Sequence, residues 1–385
     1  MTTTDAGARL RVRLADELAA EKTLRSPKWR AALEAVPREV FLGDAVYRFE
    51  SGEDHPAWTP LRRAEMPEAE WLELAYENRT WVTQVDGVAA SCAAAPLSGP
   101  PTSSSSLPSL VVGMLEDLDV RSGDRVLEIA TGTGYSTALL CHRLGDDRVT
   151  SVEVDPDVAE HARTALHRLG HEPVLRVGDG FGGAPEGADY DRIIATCAFR
   201  YLPPPWLYQV DASAKILITL AGWAGANAQV LLEVDEEGSA QGRFLPGYRS
   251  FMMARAHQAP PHGPIWFPPG AEERPTEVGA DVFEDWTGGF VAQLAVPGAI
   301  TYGIGAERGL LDVATGAHAR VRADGDGWTV REAGPARLWR AVEEAVAVWR
   351  EAGSPHVSAF GMTADPREQR VWRGDPGGPS WRLPV

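Results

Sequence analysis

A glycine-containing segment at residues 127–135 has the residue types that could bind a small charged ligand. Gly132 and Gly134 follow a short apolar run that predicts a buried strand, and a predicted helix begins directly after them. Glycines at such a junction let the backbone approach a ligand at a helix N-terminus. A dinucleotide-binding fingerprint has a third glycine three residues further on, where this chain has Thr137. The spacing therefore disfavours a nicotinamide cofactor.

Three acidic side chains are predicted at the ends of three successive strands beside this segment. Glu128 lies inside the first strand, Glu153 ends the second, and Asp179 with Gly180 ends the third. A carboxylate there can accept hydrogen bonds from ribose hydroxyls or from an adenine amino group, and it can hold a cation. S-adenosyl-L-methionine carries an ammonium and a sulfonium, whereas a pyrophosphate would be repelled by Glu128. We therefore expect this cofactor, although a lone acid at a strand end is more often simply solvated.

The predicted cofactor site includes the glycine segment and the strand ends. Its residues are Glu128, Ala130, Thr131, Gly132, Thr133, Gly134, Tyr135, Glu153, Val154, Asp179, Gly180, Thr196 and Cys197. The chain has only three cysteines, and they are scattered, which excludes a disulfide scaffold. It also excludes a Cys-based zinc site, so no metal is expected. The histidines at positions 161, 167 and 171 have no matched ligand set.

Strands and helices alternate from residue 125 to residue 220, which predicts an α/β fold with a doubly wound, mostly parallel sheet. We expect a helical N-terminal segment at 1–100, a cofactor-binding core at 101–255 and an α+β domain at 256–385. Residues 96–106 have the Gly, Pro and Ser content of a loop. Pro268-Pro269 and the prolines at 260, 261 and 264 indicate a linker. The last domain holds seven of the 13 tryptophans, which could be a core or anchors for a peptide.

The composition limits the partners. The 385 residues include 54 acidic and 37 basic side chains, a formal net charge of −17, which disfavours nucleic-acid binding. The first ten residues lack the apolar stretch of a secretory signal, and no run of apolar residues predicts a membrane span. We therefore expect a soluble cytoplasmic protein.

Five motifs together resemble the protein L-isoaspartyl O-methyltransferase family. They are Val-Pro-Arg-Glu-Val-Phe at 36–41, Ala-Tyr-Glu at 75–77, Ser-Leu-Pro at 106–108, the glycine segment at 127–135 and Gly-Asp-Gly at 178–180. The resemblance covers about residues 25 to 225. It implies a Rossmann-like, class I fold and transfer of a methyl group to a carboxylate, with S-adenosyl-L-homocysteine as the product. It also assigns Ser106 to the substrate carboxylate, with Thr102 and Ser105 shaping the loop. Serine's preference for helix N-caps offers a purely structural role for Ser106.

The chain departs from the repair enzymes of that family. Ala130 stands where they usually carry a glycine, about ten extra residues precede Ser106, and residues 256–385 are expected to lack a counterpart. The Pro-Thr-Ser-Ser-Ser-Ser tract at 101–106, Cys-His-Arg-Leu-Gly-Asp-Asp at 141–147 and the extra C-terminal domain resemble a subgroup encoded with peptide-modifying enzymes in actinobacteria. This subgroup methylates an aspartate of a cyclised ribosomal peptide, and the ester closes to an aspartimide.

The closest resemblance is to the members that accompany ATP-grasp ligases and graspetides, while others serve lanthipeptides and lasso peptides. The substrate is then expected to be a crosslinked precursor peptide, and an ATP-grasp ligase is a possible functional partner. An aspartate is already ionised at neutral pH, so its methylation needs no general base. Repair of isoaspartyl damage, a non-catalytic scaffold that keeps the cofactor, and a nicotinamide oxidoreductase remain the alternatives.

Overall fold

The computed structural model describes residues 3–51, 56–267 and 271–385. The chain divides into an N-terminal unit, formed by Met1–Thr196 with Gln209–Ile216, and a C-terminal unit, formed by Cys197–Tyr208 with Leu217–Val385. This division differs from the predicted boundary at 255, because residues 217–255 belong to the C-terminal unit. The linker prolines 268 and 269 lie outside the described residues.

The N-terminal unit contains seven of the described helices and the first strands of the chain. The helices are α1 (Thr3–Ala20), α2 (Pro27–Ala35), α3 (Glu39–Leu42), α4 (Glu68–Ala75), α5 (Pro108–Asp117), α6 (Tyr135–Leu144) and α7 (Pro156–Arg168). The strands are β1 (Ala45–Glu50), β2 (Ala57–Arg62), β3 (Trp81–Val85), β4 (Val88–Ala89), β5 (Pro101–Ser105), β6 (Val126–Ile129), β7 (Val149–Glu153) and β8 (Val174–Val177). The divisions of the chain after Thr196 and Ile216 fall within β9 (Tyr190–Phe199) and β10 (Val210–Ala221), which begin in this unit.

Four of these strands form the predicted parallel sheet. β6 pairs in parallel with both β7 and β9, and β7 pairs in parallel with β8. All four residues of β6 are buried, as expected for a strand with both sheet faces covered. The strand order reverses at β6, because β7 and β8 lie on one side of it and β9 on the other. Ligands of open α/β sheets bind at the carboxyl ends of the strands at such a switch point.

The helix that follows β7 begins and ends as the sequence predicts. The Asp155 carboxylate accepts hydrogen bonds from the backbone N–H groups of Asp157 and Val158, and Pro156 occupies the first turn. Gly170 follows the helix with a φ of +77°, the left-handed conformation that commonly ends helices.

The segment before the parallel sheet is not mainly helical. Strands β1 to β5 form an antiparallel sheet in which β3 pairs with β1, β4 and β5. The prediction of a loop over residues 96–106 is therefore wrong for β5. Serines are weak strand formers, but Ser103 and Ser105 are buried and pair in the ladder with Gln84 and Trp81 of β3. The predicted boundary at residue 101 cuts this sheet.

The C-terminal unit has the α+β content that its sequence pattern predicts. Its helices are α8 (Trp286–Ala295) and α9 (Leu338–Glu351). Its strands are β11 (Asn227–Val234), β12 (Ala240–Phe244), β13 (Glu272–Thr276), β14 (Ala299–Tyr302), β15 (Glu307–Asp312), β16 (His318–Asp324), β17 (Gly327–Ala333), β18 (Phe360–Ala364), β19 (Gln369–Arg373) and β20 (Ser380–Arg382).

Two antiparallel sets of strands make up most of this unit. One set has the order β13-β17-β16-β15-β14, and the other has the order β11-β12-β18-β19-β20. The predicted apolar face of α9 is buried, and it includes Leu338, Val342, Ala345, Val346 and Trp349. Trp339 is fully buried, as expected for a core residue, while Trp266 is 80% exposed. A role of the tryptophans as anchors for a peptide stays a prediction. In the described parts of the chain, none of the helices has the length and hydropathy needed to span a membrane.

We predict that Trp339→Ala lowers the free energy of unfolding by about 3–5 kcal/mol, because it removes a fully buried indole from the core. The indole Nε1 also donates a hydrogen bond to the Val278 carbonyl, at 3.0 Å. The matched control is Trp266→Ala, which should change stability by no more than about 0.5 kcal/mol at its exposed position. Urea unfolding of the full chain measures both, and equal effects would contradict the assignment of Trp339 to the core.

Candidate active site

The turn between β6 and α6 has an unusual backbone. Ala130, Gly132 and Gly134 have φ values of +69°, +54° and +89°, so every second residue is left-handed. The N–H groups of Ala130 and Thr131 both donate to the Val152 carbonyl, at 2.9 and 3.2 Å. The turn is thus fastened to β7 and leads directly into the first turn of α6. We name residues 130–134 the glycine turn.

Close approach explains two of the glycines around this turn. A Cβ on Gly134 would lie 3.1 Å from the Ala162 Cβ of α7, in addition to the strain of its positive φ. A Cβ on Gly180 would lie 2.5 Å from the Ile129 Cγ2, so the Gly-Asp-Gly segment contacts the end of β6. Gly132 faces the carbonyl of Ser104, which brings the serine-containing strand β5 over the glycine turn.

Glu128 lies below the turn and is fully buried. Its carboxylate accepts hydrogen bonds from the hydroxyls of Ser136, Thr137 and Ser151. Burial raises the pKa of Glu128, and the three hydroxyl donors oppose that rise. Thr137, which stands where a dinucleotide-binding fingerprint has its third glycine, therefore uses its hydroxyl to bind Glu128. Direct contact of Glu128 with a cofactor ammonium would require one of these donors to give way.

Glu153 lies at the end of β7, beside the glycine turn. Its Oε2 accepts from the Gly132 N–H at 2.9 Å, and its Oε1 accepts from the Asp155 N–H at 3.1 Å. The sequence separates Glu153 widely from Gly132, and the parallel pairing of β6 with β7 brings them together. Val154 follows and is 38% exposed.

The other predicted cofactor residues surround the same turn in different ways. Thr131 is buried and lies 2.6 Å, hydroxyl to hydroxyl, from Ser151, and Thr133 is also buried. Thr196, near the end of β9, donates its hydroxyl proton to the Ala130 carbonyl at 2.5 Å. Tyr135 is directed into the protein, where its ring lies 5.8 Å from that of Phe41.

Asp179 and Cys197 complete the predicted set. Asp179 is exposed after β8, and its Oδ1 accepts from the Phe181 N–H at 2.9 Å. Cys197 is a half-buried residue of the C-terminal unit. The roles of the whole set in cofactor binding stay predictions.

A buried arginine joins the family-like motifs and was not among the predicted site residues. The Arg38 guanidinium is fully buried and donates hydrogen bonds to five backbone carbonyls. They belong to Ala75, Glu77, Arg79, Ser105 and Ser106, at 2.8–3.3 Å. Burial lowers the pKa of Arg38 to about 10, so the group remains a cation at neutral pH.

Arg38 therefore fixes the backbone at the start of the Ser-Leu-Pro motif. It connects this motif to Val-Pro-Arg at 36–38 and to Ala-Tyr-Glu at 75–77. The resemblance of all three motifs to one family was the only signal in the sequence that they act together. The interpretation of each motif alone gave no reason to expect a shared buried cation.

Ser106 is not the N-cap of the helix that follows it. The cap position of α5 is Leu107, which makes no side-chain capping bond. Residues from a distant segment satisfy the helix start instead. The Thr80 hydroxyl accepts a hydrogen bond from the Leu107 N–H at 3.1 Å, and the side-chain oxygen Oδ1 of Asn78 accepts one from the Ser109 N–H at 2.9 Å.

The half-buried Ser106 side chain is consequently free for another role. Among the described residues none forms a hydrogen bond with its hydroxyl, whereas its neighbours are engaged. Ser105 is buried and lies 3.4 Å from the Arg38 Nε. Thr102 donates to the Gln84 side-chain oxygen at 2.7 Å. Ser105 and Thr102 thus shape the strand, while Ser106 can offer a proton to a ligand.

Gln84 extends this network to the parallel sheet. Its Nε2 lies 3.3 Å from Asp155 Oδ2, at the N-terminus of α7. A cavity of about 100 Å³ lies next to it, and its lining includes Thr83, Ser103, Thr133 and His161. The cavity lies between β5 and α7, and these hydroxyls and the imidazole are the polar part of a lining that also contains apolar side chains.

The residues at the switch point fit an S-adenosylmethionine-type cofactor. The glycine turn brings backbone without side chains to the N-terminus of α6 at Gly132 and Gly134, and Gly180 has no Cβ that would collide with Ile129. Glu153 and Asp179 supply acceptors at the ends of β7 and β8. We expect these residues, with Thr133 and Val154 beside them, to hold the cofactor.

Comparisons with known proteins point to one family. The family model described as protein-L-isoaspartate(D-aspartate) O-methyltransferase matches residues 64–244. Protein-L-isoaspartate O-methyltransferase 1 of Polaromonas sp. is 36% identical over 152 residues, which cover 39% of this chain and 63% of that protein. Protein-L-isoaspartate O-methyltransferase 1 of Archaeoglobus fulgidus is 37% identical over 154 residues, which cover 38% of this chain and 69% of that protein.

A solved structure of a protein-L-isoaspartate O-methyltransferase shares the fold. It aligns with a TM-score of 0.56 at 20% sequence identity, over 95% of this chain and 100% of that chain. The class I methyltransferase fold is thereby confirmed. The expectation that residues 256–385 have no counterpart is wrong, because an alignment over 95% of the chain includes most of them. The C-terminal unit therefore does not distinguish this chain from that protein.

We predict that Ala130→Gly raises the free energy of unfolding by about 1 kcal/mol. The native φ of +69° is unfavourable for any residue with a Cβ and is relaxed for glycine. The matched control is Ala347→Gly in α9, where the exposed alanine is helical and glycine should cost about 0.5–1 kcal/mol. Urea unfolding measures the change in the free energy of unfolding for both variants, which should be positive for Ala130→Gly and negative for Ala347→Gly. An equal decrease in both variants would contradict strain at Ala130.

Proposed function

The chain belongs to the protein-L-isoaspartate O-methyltransferase family, and on this premise we propose that it methylates a carboxylate of an aspartyl residue in a peptide. The observation that carries the proposal is the position of β5, which directly precedes Ser106 and brings the Ser104 carbonyl next to Gly132 of the glycine turn. When bound, S-adenosyl-L-methionine supplies an electrophilic methyl group. Everything else in the reaction depends on how this chain holds the carboxylate.

Orientation is the main contribution of the protein. An aspartyl carboxylate is ionised at neutral pH and can attack a methyl group without a general base. Fixing two reactants in line contributes up to about 7–11 kcal/mol in favourable intramolecular models. Ser106 donates its hydroxyl proton to one carboxylate oxygen and leaves the other to react. Arg38 is a positioning residue here, because it holds the backbone of Ser105 and Ser106.

We propose that the substrate is an aspartate side chain in a ribosomally made, crosslinked peptide. Two segments support this substrate class, the tract at 101–106 and Cys-His-Arg-Leu-Gly-Asp-Asp at 141–147, which resemble the subgroup that accompanies peptide-modifying enzymes. The product ester is a better acyl electrophile than the carboxylate. The following backbone nitrogen attacks its carbonyl carbon, methanol leaves, and an aspartimide forms. An ATP-grasp ligase that makes the crosslink is the proposed functional partner.

Repair of isoaspartyl residues is the second candidate. The names of the curated relatives support it, and the chain spans 63% of the length of the Polaromonas relative. Both candidates use the same carboxylate chemistry at the same serine. They differ in the carboxylate, which belongs to a β-linked aspartyl residue in repair and to an ordinary aspartate side chain in peptide maturation.

We predict that Ser106→Ala lowers kcat about ten- to hundredfold and leaves cofactor affinity unchanged. A hydrogen bond to a charged group is worth about 1.5–3 kcal/mol, and the lost donor contacts the substrate rather than the cofactor. Ser109→Ala is the matched control, since Ser109 is a half-buried serine three residues away. Its backbone N–H donates a hydrogen bond to Asn78, and the substitution keeps that bond. Full modification by Ser106→Ala would support a scaffold and contradict the proposed catalytic role.

Two peptides in one assay separate the substrate candidates. One is an isoaspartyl peptide, and the other is an ATP-grasp-crosslinked peptide with an acidic core. We expect intact mass to show gain of one CH₂ and then net loss of one H₂O only for the crosslinked peptide. Methylation of the isoaspartyl peptide alone would establish the repair activity, and methylation of neither would contradict both candidates.

A further inference from the structure

Three side chains of different chemistry meet at the end of α6 that is remote from the glycine turn. They are Cys141 on the last turn of the helix, Asp146 in the following turn, and His171 after α7. One ligand atom from each lies within 4.8 Å of the others. The His171 Nδ1 is 2.9 Å from the Asp146 Oδ1.

The surroundings of this cluster favour a bound cation. Cys141 is only 3% exposed, whereas the side chains of His171 and Asp146 are 18% and 30% exposed, which leaves one side open for entry. The carbonyl end of α6 carries partial negative charge and adds to that of the carboxylate.

We propose that Cys141, Asp146 and His171 form a binding site for a thiophilic divalent cation of the zinc class. Thiolate sulfur, imidazole nitrogen and carboxylate oxygen are the three ligand types that zinc combines in proteins. In a tetrahedral site, bonds of about 2.3 Å to sulfur and 2.1 Å to nitrogen or oxygen place two ligand atoms about 3.4–3.6 Å apart. The three ligand atoms, which lie within 4.8 Å of one another, must therefore approach by about 1 Å, and side-chain rotations can supply this movement.

Binding exchanges protons for the metal ion. The Cys141 thiol loses its proton to solvent as its sulfur bonds the cation, and the imidazole of His171 binds through the neutral form. A water molecule takes the fourth position on the open side. The sequence alone excluded a Cys-based zinc site because the cysteines are few. A site with a single cysteine depends on ligands from three segments, which only the fold brings together.

The site lies at the end of α6 that is remote from the cofactor site. α6 has ten residues, so its ends are about 15 Å apart, and its N-terminus carries the glycine turn. A cation at the other end ties α6 to the segment between α7 and β8. It would fix two helices that both border the cofactor site, whichever peptide the enzyme modifies.

Cobalt(II) titration of the untagged full chain tests the proposal without reference to activity. We expect one equivalent of Co²⁺ to produce an intense thiolate-to-cobalt charge-transfer band in the near ultraviolet, which added Zn²⁺ abolishes. Cys141→Ser should lose the band. The matched control Cys92→Ser changes an exposed cysteine outside the cluster and should keep it. A folded wild-type chain without the band overturns the proposal, as does a band that persists in Cys141→Ser and disappears in Cys92→Ser.

Thermal unfolding provides a second measurement that separates metal binding from the hydrogen bonds of the cluster. We expect Zn²⁺ to raise the Tm of the wild type and of Cys92→Ser, and to leave that of Cys141→Ser and His171→Ala unchanged. The Asp146–His171 hydrogen bond survives in Cys141→Ser, so a zinc-dependent rise in Tm there would point to adventitious binding only and would contradict the assigned ligands.

Discussion

The left-handed backbone at residues 130, 132 and 134 is the constraint around which the N-terminal unit is organised. A turn of this shape leads directly into α6, and it needs hydrogen-bond partners from the neighbouring strands to be stable. Val152 bonds it from β7, Thr196 bonds it from β9, and the carboxylate of Glu153 accepts from the Gly132 N–H. The strain at Ala130 is thus offset by contacts from two neighbouring strands at the switch point.

The substrate side of the site depends on a single buried cation. Arg38 bonds backbone carbonyls from two segments distant in sequence, and through them it sets the position of Ser106. Because Asn78 and Thr80 cap α5, the serine hydroxyl is released from a structural role. The proposed chemistry needs little more, since a carboxylate nucleophile is already ionised. Rigidity of this backbone therefore takes the place of an acid–base pair.

The sequence predicted the parallel sheet well, because short apolar strands, Asp155 as an N-cap and Gly170 as a helix end are local signals. It predicted a loop where the strand at 101–105 lies, since serine has little intrinsic strand preference and the pairing of this strand with β3 is a tertiary effect. Glu128 was expected to face the cofactor, yet its burial with three hydroxyls depends on residues spread over β6, β7 and α6. The role of Arg38 was equally hidden, because five carbonyl partners leave no pattern of side-chain types.

The proposed methyl transfer requires that the glycine turn and the strand-end acids hold an S-adenosyl cofactor. Isothermal titration of the full chain with S-adenosyl-L-homocysteine tests it most directly, with Gly134→Val as the partner experiment because its Cβ would lie 3.1 Å from that of Ala162 at a φ of +89°. We expect saturable binding at one site in the wild type and loss of that binding in the variant. A correctly folded wild-type chain that releases no heat of binding would contradict the proposal.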